Sequence, residues 1–501
     1  MKNDFITITL SNSKTQTFAL DVKELELKNN SSIENLNAFI PLQDLEKITL
    51  INCEKLNDLS AIGSFKKLRV LSLESCNALL DLSPVNNVLS MEKLKCIEFR
   101  DLKILDTLKE NTRVKSIDIL EDRKCFTGFS KTYPNLLSIY FKTQNLIDLK
   151  PLESLSNMKC LALYYCNSIS NLNSIGKLHE LNEIQLYNCN NIKEIVTLSH
   201  LKNLKIIDLS YCAKLKNIDI VFAIKKLEAL YVQECNSMKS IHLNTPHNLK
   251  RLRLNSNRKL QDITGLHNLI KIKFLQIEDC NLFSAFDNIS LLTTLEKLEL
   301  LNNKKLKSLS FISVLSKFKS LRVWSVYALK SLDCFTKCHQ IGELSIHNAE
   351  VKTLNGFENL INLRHLNLGN FNNLKSLDSL SKCTKINDIS FYSCTSLKDM
   401  NAIKNFKNLK ELTIDNNNLI ENIDFMSNIK NLEIIQLTDC NAIQSLAPLI
   451  KLNKIKSLII NHCYGFTDLH LLKTLKVHSD IGVCYNDEMG ISRTIEFDYT
   501  N

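Results

Sequence analysis

The 501-residue sequence contains little glycine and proline, with 10 and 6 residues, and one tryptophan. This composition excludes collagen-like and Gly/Pro-rich low-complexity chains and leaves no material for long flexible linkers. The phosphate-binding motifs G-x-G-x-x-G and G-x-x-x-x-G-K are missing as well. The sequence has no apolar run of the about eighteen residues that a membrane span needs, and no signal-peptide run at its start. We therefore expect neither a nucleotide-binding enzyme of these types nor a membrane-spanning protein.

Arginine is also scarce. The formal net charge is +10, but 53 of the 63 basic residues are lysines and only 10 are arginines. Nucleic-acid and phosphate sites favour the bidentate guanidinium, whereas dispersed lysine is typical of a solvated surface. Binding of nucleic acid or anionic lipid through surface lysines is therefore an alternative rather than the main interpretation.

A short repeat is abundant, and it dominates the chain. In the unit that starts at Leu68, apolar residues occupy positions 1, 4, 6, 12, 15 and 18, and Cys76 occupies position 9. The same frame recurs in twenty units, mostly 22 or 23 residues long, from Val22 to about residue 477. Alternation around positions 4 and 6 predicts a short strand with one buried face. Each unit should therefore add one parallel strand to a sheet.

This pattern, L-x-x-L-x-L-x-x-N/C, resembles the leucine-rich-repeat superfamily, in particular its short-repeat members such as internalins and phosphatase regulators. The resemblance implies an α/β solenoid, a horseshoe or arc of about 20 coils. Its parallel sheet would line the concave face, and short helical or 3-10 turns would line the convex face. Residue types suited to helix N-caps recur at position 16, as in Ser60 and Ser83, which favours such turns. The family's functions are diverse, so the resemblance implies the fold alone.

Ten of the 17 cysteines occupy position 9, and asparagine occupies it in four more units. The resemblance implies that this residue points inward and bonds the backbone of adjacent coils. We interpret the ladder as free thiols in a packed core, which favours a reducing compartment. The expected location is the cytoplasm of the protein's own cell or, for an effector delivered by a bacterium, the host cytosol.

The expected organisation is an N-terminal cap at 1–21, the solenoid at 22–477 and a C-terminal cap at 478–501. In this frame two pairs of units are irregular: Leu68, Leu94 and Val114 are spaced by 26 and 20 residues, and so are Leu295, Leu321 and Ile341. The coincidence suggests a duplication relating 22–248 to 249–477. Each irregular pair should produce a local kink or bulge in the sheet.

A partner site is expected on the concave face, where positions 3, 5, 7 and 8 point outward or lie at its edge. Tyrosine is enriched at interface hot spots because it combines rigid contact area with a hydroxyl. Eight tyrosines fall on these positions: Tyr140, Tyr164, Tyr165, Tyr187, Tyr211, Tyr231, Tyr327 and Tyr392. Among the charged residues of the face, Glu98 and Asp118 lie upstream of the tyrosines and Arg251 and Arg253 downstream. These charges would orient a partner with one basic and one acidic end.

Catalytic and metal-binding patterns are weak. Cys334-x-x-x-Cys338-His339 offers three ligands, and no fourth is evident for zinc. Cys484 has no recognisable catalytic partner. We therefore predict a non-enzymatic protein-interaction module, with no cofactor and no metal, that binds a protein partner on its concave face as a monomer. The alternatives are a bacterial effector or immune-type sensor that uses the same surface, anionic-ligand binding, and an enzyme that uses a tail or the Cys334 region.

Overall fold

The computed structural model describes residues 5–9, 15–97, 107–108, 113–120, 133–475, 483–486 and 492–495. The chain divides into two compact units, Met1–Ile241 and His242–Asn501. The first unit contains twelve strands in its described residues: β1 Phe5–Thr9, β2 Thr15–Ala19, β3 Glu24–Lys28, β4 Lys47–Ile51, β5 Val70–Glu74, β6 Lys93–Ile97, β7 Ser116–Leu120, β8 Ser138–Lys142, β9 Cys160–Tyr164, β10 Glu183–Tyr187, β11 Ile206–Asp208 and β12 Ala229–Gln233.

Ten of these strands, β3 to β12, form one parallel sheet. Neighbouring strands pair in register with an offset of one repeat, as in Lys47 opposite Val70. In β4 the second and fourth residues, Ile48 and Leu50, are fully buried and the other three are partly exposed, because alternate side chains of a strand point to opposite faces. The antiparallel hairpin of β1 and β2 precedes the sheet, and Phe18 of β2 contacts Phe39 of the first coil edge to face.

The second unit repeats this architecture. Its strands, the first of which crosses the boundary between the units, are β13 Ser240–His242, β14 Arg251–Asn255, β15 Asp262–Thr264, β16 Phe274–Glu278, β17 Lys297–Leu301, β18 Ser320–Trp324, β19 Glu343–His347, β20 His365–Gly369, β21 Asp388–Tyr392, β22 Glu411–Asp415, β23 Ile434–Thr438, β24 Ser457–Asn461, β25 Val483–Asn486 and β26 Ser492–Ile495. The sheet runs from β14 through β16 to β24, each strand parallel to the next. Strand β25 adds in parallel and β26 pairs with it in the antiparallel direction.

The opposite side of the coils carries short 3-10 turns. They span Asn37–Phe39, Ser60–Ser64, Ser83–Asn87, Lys150–Leu152, Asn173–Lys177, Val196–His200 and Asp219–Ala223 in the first unit, and Leu266–Asn268, Phe286–Leu291, Ser310–Val314, Asp333–Lys337, Phe357–Asn359, Asp378–Leu380, Asn401–Asn405, Asp424–Asn428, Leu449–Lys451 and Leu469–Thr474 in the second. The predicted solenoid of about twenty strand-and-turn coils is confirmed.

The capping of these turns differs from the prediction. Position 16 is the first residue of the turn rather than its cap, and position 14 supplies the side-chain acceptor. The backbone N–H of Ser60 donates to Asp58 Oδ1 at 2.7 Å, and that of Ser83 donates to Asp81 Oδ1 at 2.8 Å. The carboxylate two residues earlier therefore satisfies a backbone donor that the tight turn leaves free.

The predicted irregular spacing is wrong. Strand β6 pairs residue for residue with both neighbours, Val70 with Lys93 and Lys93 with Ser116. Strand β18 pairs in the same continuous way, Lys297 with Ser320 and Ser320 with Glu343. The units therefore begin at Met91 and Phe318, both buried, and the steps before and after each of these two units are 23 residues.

The error arose because the predicted frame places Leu94 and Leu321 at position 1, whereas the strand register places them at position 4. A buried leucine fits either position, so the sequence pattern does not distinguish them. No kink interrupts the ladder at β6 or β18. The coincidence of spacing that suggested a duplication is thereby removed, and the duplication itself stays a prediction.

Position 9 explains how adjacent coils are joined. Most ladder side chains reach the backbone of the preceding coil: the Cys76 thiol donates to the carbonyl of Leu50 at 3.5 Å, and Asn303 Nδ2 donates to that of Ile277 at 2.7 Å. Asn303 Oδ1 also accepts from the N–H of Cys280 at 3.1 Å. These bonds satisfy buried backbone groups that would otherwise destabilise the turn. Every cysteine whose side chain is described is a free thiol.

Candidate functional site

The parallel register brings tyrosines from successive strands of the first unit onto one exposed face. Tyr164 of β9 lies directly opposite Tyr187 of β10, and Tyr140 of β8 lies opposite Ala162 of β9. Tyr165 and Tyr211 follow the ends of β9 and β11, and Tyr231 of β12 lies opposite Asp208. All six are partly exposed. We call this set, Tyr140, Tyr164, Tyr165, Tyr187, Tyr211 and Tyr231, the tyrosine face.

Four of these rings form a continuous row. The ring centroids of Tyr140 and Tyr164 are 4.6 Å apart, those of Tyr164 and Tyr187 5.2 Å, and those of Tyr187 and Tyr211 4.8 Å. Tyr164 and Tyr187 are stacked with planes 18° apart, and Tyr165 meets Tyr187 edge to face at 5.6 Å. Such contacts stabilise each ring by roughly 0.5–1.5 kcal/mol beyond simple burial. The row is therefore a preorganised surface rather than a set of independent side chains.

Polar side chains hold the hydroxyls of this row. The Tyr164 hydroxyl donates to Gln185 Oε1 at 2.7 Å, and Gln185 Nε2 donates to Glu183 Oε1 at 2.5 Å. Gln233 Nε2 donates to the Tyr211 hydroxyl at 3.0 Å. Because the phenols are oriented by neighbouring strands, their remaining hydrogen-bonding capacity points in fixed directions.

The surroundings of Tyr140, Tyr164 and Tyr187 raise the pKa of their phenols. Burial raises the pKa of Tyr187 to about 12, and the neighbouring Tyr211 adds to the effect. Burial also raises the pKa of Tyr140, helped by the Asp118 carboxylate, and that of Tyr164, helped by Tyr140 and Asp208. Each hydroxyl therefore keeps its proton at neutral pH.

Two members of the tyrosine face have an unusual backbone. Position 8 adopts the left-handed conformation in seventeen coils of the described chain, and thirteen of these residues are Asn, Ser or Asp. Tyr165 and Tyr211 are bulky exceptions, with φ of 59° and 61°. This conformation costs an ordinary residue about 1–2 kcal/mol, and such strain clusters at functional sites. Sequence reasoning placed both residues correctly along the chain but had no means of detecting the strain.

The second unit carries a different aromatic row. Trp324 and His347 have ring centroids 5.2 Å apart, and His347 lies 6.3 Å from Tyr392. Between them Gly369 of β20 is in register with both His347 and Tyr392. A Cβ on Gly369 would lie 2.6 Å from His347 Cε1, so the ring occupies the space that a side chain would take. We call Trp324, His347 and Tyr392 the tryptophan row.

Tyr327 lies elsewhere than predicted. Strand β18 ends at Trp324, and Tyr327 is in the following turn with 61% of its surface exposed. The three-residue error in the frame caused both mistakes: it placed Tyr327 at position 7, where Trp324 belongs, and so missed the tryptophan. The buried Phe318 at position 1 was the signal that could have corrected it.

The predicted charged residues fall into separate surroundings. Asp118 of β7 accepts ion pairs from Lys93 at 2.9 Å and Lys95 at 3.7 Å, so lysines of the adjacent strand balance its charge. Arg251 and Arg253 are exposed on β14 of the second unit, and the Arg253 guanidinium lies 5.3 Å from the Phe274 ring. Glu98 lies outside the described residues.

The cysteine cluster of the second unit is part of the packing. Cys338 is fully buried and donates to the carbonyl of Cys334 at 3.3 Å, while His339 Nδ1 lies 3.1 Å from the carbonyl oxygen of Asn359. Burial raises the pKa of Cys334 to about 12 and that of Cys338 to about 11, so both remain thiols. Within the described ranges no three His, Cys, Asp or Glu side chains are grouped to hold a metal, and no helix is long and apolar enough to cross a membrane.

Family comparisons match two stretches of repeats. Residues 337–409 match the family described as the endo-beta-N-acetylglucosaminidase EndoS LRR domain, and residues 149–218 match the family described as Zer-1-like leucine-rich repeats. No curated protein sequence matches the chain significantly.

Solved structures resemble this chain at low sequence identity. One is the TLR13–ssRNA13 complex, 15% identical, with a TM-score of 0.54 over 95% of this chain and 86% of that chain. Others are the Leptospira interrogans LRR protein LIC12759 (16% identical, TM-score 0.42, 92% and 96% covered) and the internalin InlF of Listeria monocytogenes (16%, 0.35, 79% and 87%). At these identities the likeness concerns the fold alone.

Proposed function

From the membership of this chain in the leucine-rich-repeat superfamily, we propose that it is a non-enzymatic module that binds a protein partner on its exposed sheet face. The tyrosine face of the first unit is the proposed contact surface, with Tyr164, Tyr187, Tyr211 and Tyr231 as anchors. These residues occupy the strand positions that the repeat pattern predicts to line the concave face.

The left-handed backbone of Tyr165 and Tyr211 carries this proposal. Asparagine or serine would fit position 8 with less strain, as they do in most other coils. A tyrosine at position 8 lowers the stability of the fold, but its ring extends the exposed row by packing against Tyr187. Packing within the fold does not require it, because the buried core lies on the opposite side of the strands. Selection for contact with a partner would explain both the strained backbone of these two tyrosines and the position of their rings in the exposed row.

The non-enzymatic assignment is supported by the state of the cysteines. Burial holds the Cys334 and Cys338 thiols protonated, and a nucleophilic cysteine needs its thiolate at working pH. The cytoplasmic location, the monomeric state and a role as a delivered effector remain predictions.

Affinity capture with matched variants tests the proposal. The full chain, a Tyr164→Ala/Tyr187→Ala variant and a Tyr327→Ala/Tyr464→Ala control are used to capture proteins from source or host lysate. The control removes two tyrosines that are 61% and 53% exposed and lie off the strands. All three chains are first compared by circular dichroism and thermal unfolding.

We expect one protein that the wild type and the control capture equally. Its affinity for the face variant should fall at least about 30-fold, since a central desolvated tyrosine contributes roughly 2 kcal/mol or more. Equal capture by all three folded chains would exclude the tyrosine face as the contact. Capture of salt-labile nucleic acid or lipid alone would replace the proposal with lysine-based binding.

A further inference from the structure

The tyrosine face lies in an acidic part of a basic protein. Across strands β8 to β12, the outward positions and the residue after each strand carry three carboxylates, Glu183, Asp208 and Glu234, and one cation, Lys142. The whole chain has a net charge of +10. The local excess of negative charge therefore opposes the overall charge of the chain.

The carboxylates are positioned by the same network that holds the rings. Glu183 accepts from Gln185, which in turn binds the Tyr164 hydroxyl, and Asp208 accepts from the Ser210 hydroxyl at 2.5 Å. Asp208 lies opposite Gln185 on one neighbouring strand and Tyr231 on the other. A positively charged group placed over β10 and β11 would therefore meet oriented carboxylates beside aromatic rings.

The chain itself shows how a cation sits on this face. The Lys142 ammonium lies 5.7 Å from the centroid of the Tyr165 ring, within the range of a cation–π contact. The carboxylates also act on the rings, since Asp118 and Asp208 contribute to the raised pKa of Tyr140 and Tyr164. Carboxylates therefore border the row of rings, with Asp208 opposite Gln185 and Tyr231, an arrangement that favours a cation and disfavours an acidic segment.

We infer that the tyrosine face binds a basic segment of its protein partner, with an arginine or lysine side chain held by Glu183 and Asp208 over the row. This inference rests on the proposed function and specifies the partner's chemistry. Arginine suits the site better than lysine, because its planar group pairs with carboxylates and stacks on aromatic rings. Five strands span about 19 Å, which about six extended residues would cross.

A library of randomised 12-residue peptides, selected on the immobilised full chain, tests the inference. Enriched peptides are measured against the wild type, a Glu183→Gln/Asp208→Asn variant and a Glu411→Gln/Asp415→Asn control. The control removes two carboxylates from β22 of the second unit, so both variants change the net charge equally. The Tyr164→Ala/Tyr187→Ala variant reports whether a peptide uses the tyrosine face.

The inference expects enriched peptides that are rich in arginine and lysine. Their affinity should fall at least about tenfold in the Glu183/Asp208 variant and with added salt, and stay unchanged in the control. Neutral or acidic peptides that depend on the tyrosines would overturn the inference and leave the proposed function intact. Basic peptides that bind both carboxylate variants equally, or a selection that enriches nothing over the tyrosine variant, would also overturn it. Loss of the tyrosine dependence in the lysate capture would instead reject the proposed function.

Discussion

The tyrosine face of the first unit and the tryptophan row of the second share position 7 of the repeat, which Tyr164 and Tyr187 occupy in one and Trp324, His347 and Tyr392 in the other, and they differ in continuity. In the tyrosine face four rings follow one another at 4.6–5.2 Å. In the tryptophan row a glycine interrupts the series, and the His347 ring lies over the gap to approach Tyr392 at 6.3 Å. The tyrosine rings form an unbroken row because each ring packs on the next. The tryptophan row holds together only because Gly369 has no side chain and leaves room for the His347 ring.

Their charged surroundings differ as well. The row of tyrosines is accompanied by Glu183 and Asp208. Near the tryptophan row opposite charges pair with each other: Glu299 lies 3.1 Å from Lys297 and 3.7 Å from Arg322, and His365 is paired with Asp388. Near the tryptophan row the carboxylates lie in ion pairs, whereas Glu183 and Asp208 of the tyrosine face accept hydrogen bonds from Gln185 and Ser210. A repeat position therefore determines only the direction of a side chain. The residues on neighbouring strands determine whether the surface is charged and whether its rings stack.

Filling the glycine gap should produce the largest change. Gly369→Ala places a methyl group inside the His347 ring volume, and overpacking of this kind costs about 2 kcal/mol. Gly342→Ala is the control, since its nearest neighbour would be 3.8 Å from the new Cβ. Chemical denaturation measures both. In a His347→Ala background the Gly369 substitution should become nearly neutral, and an unchanged cost there would show that the histidine is not the obstacle.

Exchanging residues at position 8 should give a smaller and reciprocal effect. Asn188→Tyr puts a bulky residue into left-handed backbone with φ of 55° and should destabilise the fold by about 1 kcal/mol. Tyr165→Asn relieves that strain but loses its contact with Tyr187, so stability should change by less than about 0.5 kcal/mol. Thermal unfolding of the two variants measures the difference. Strong destabilisation by Tyr165→Asn would show that this ring is structural, and would weaken the proposed function.

The pH dependence of the tryptophan row should be the smallest effect. Burial lowers the pKa of His347 below its usual 6.5, and the charge of Arg322 adds to this while Asn367 opposes it. The unfolded chain then takes up a proton first as the pH falls through about 6.5, so the native state loses stability toward lower pH. His347→Gln should remove this component from denaturation midpoints measured between pH 7 and pH 5. Identical slopes for the two chains would contradict the assignment.

Most of the fold could be predicted from the sequence. Apolar residues at positions 4 and 6 of each unit predict a short strand with one buried face, and position 9 supplies a side chain to the backbone of the preceding coil in most units. The parallel order, the coil number and the turns follow from repetition of these local rules. The predicted starts of two units were wrong, because Leu94 and Leu321 fit the apolar pattern at position 4 as well as at position 1.

The candidate site could likewise be predicted only in part. The repeat pattern is enough to predict which side of each strand Tyr140, Tyr164 and Tyr187 occupy, because a strand alternates its side chains with a period of two. Three properties became visible only in the folded chain: the rings stack, Tyr165 and Tyr211 have left-handed backbone, and Trp324 rather than Tyr327 belongs to the second row. These properties depend on register and on contacts between residues about 22 positions apart, and a local pattern carries no information about distance across strands.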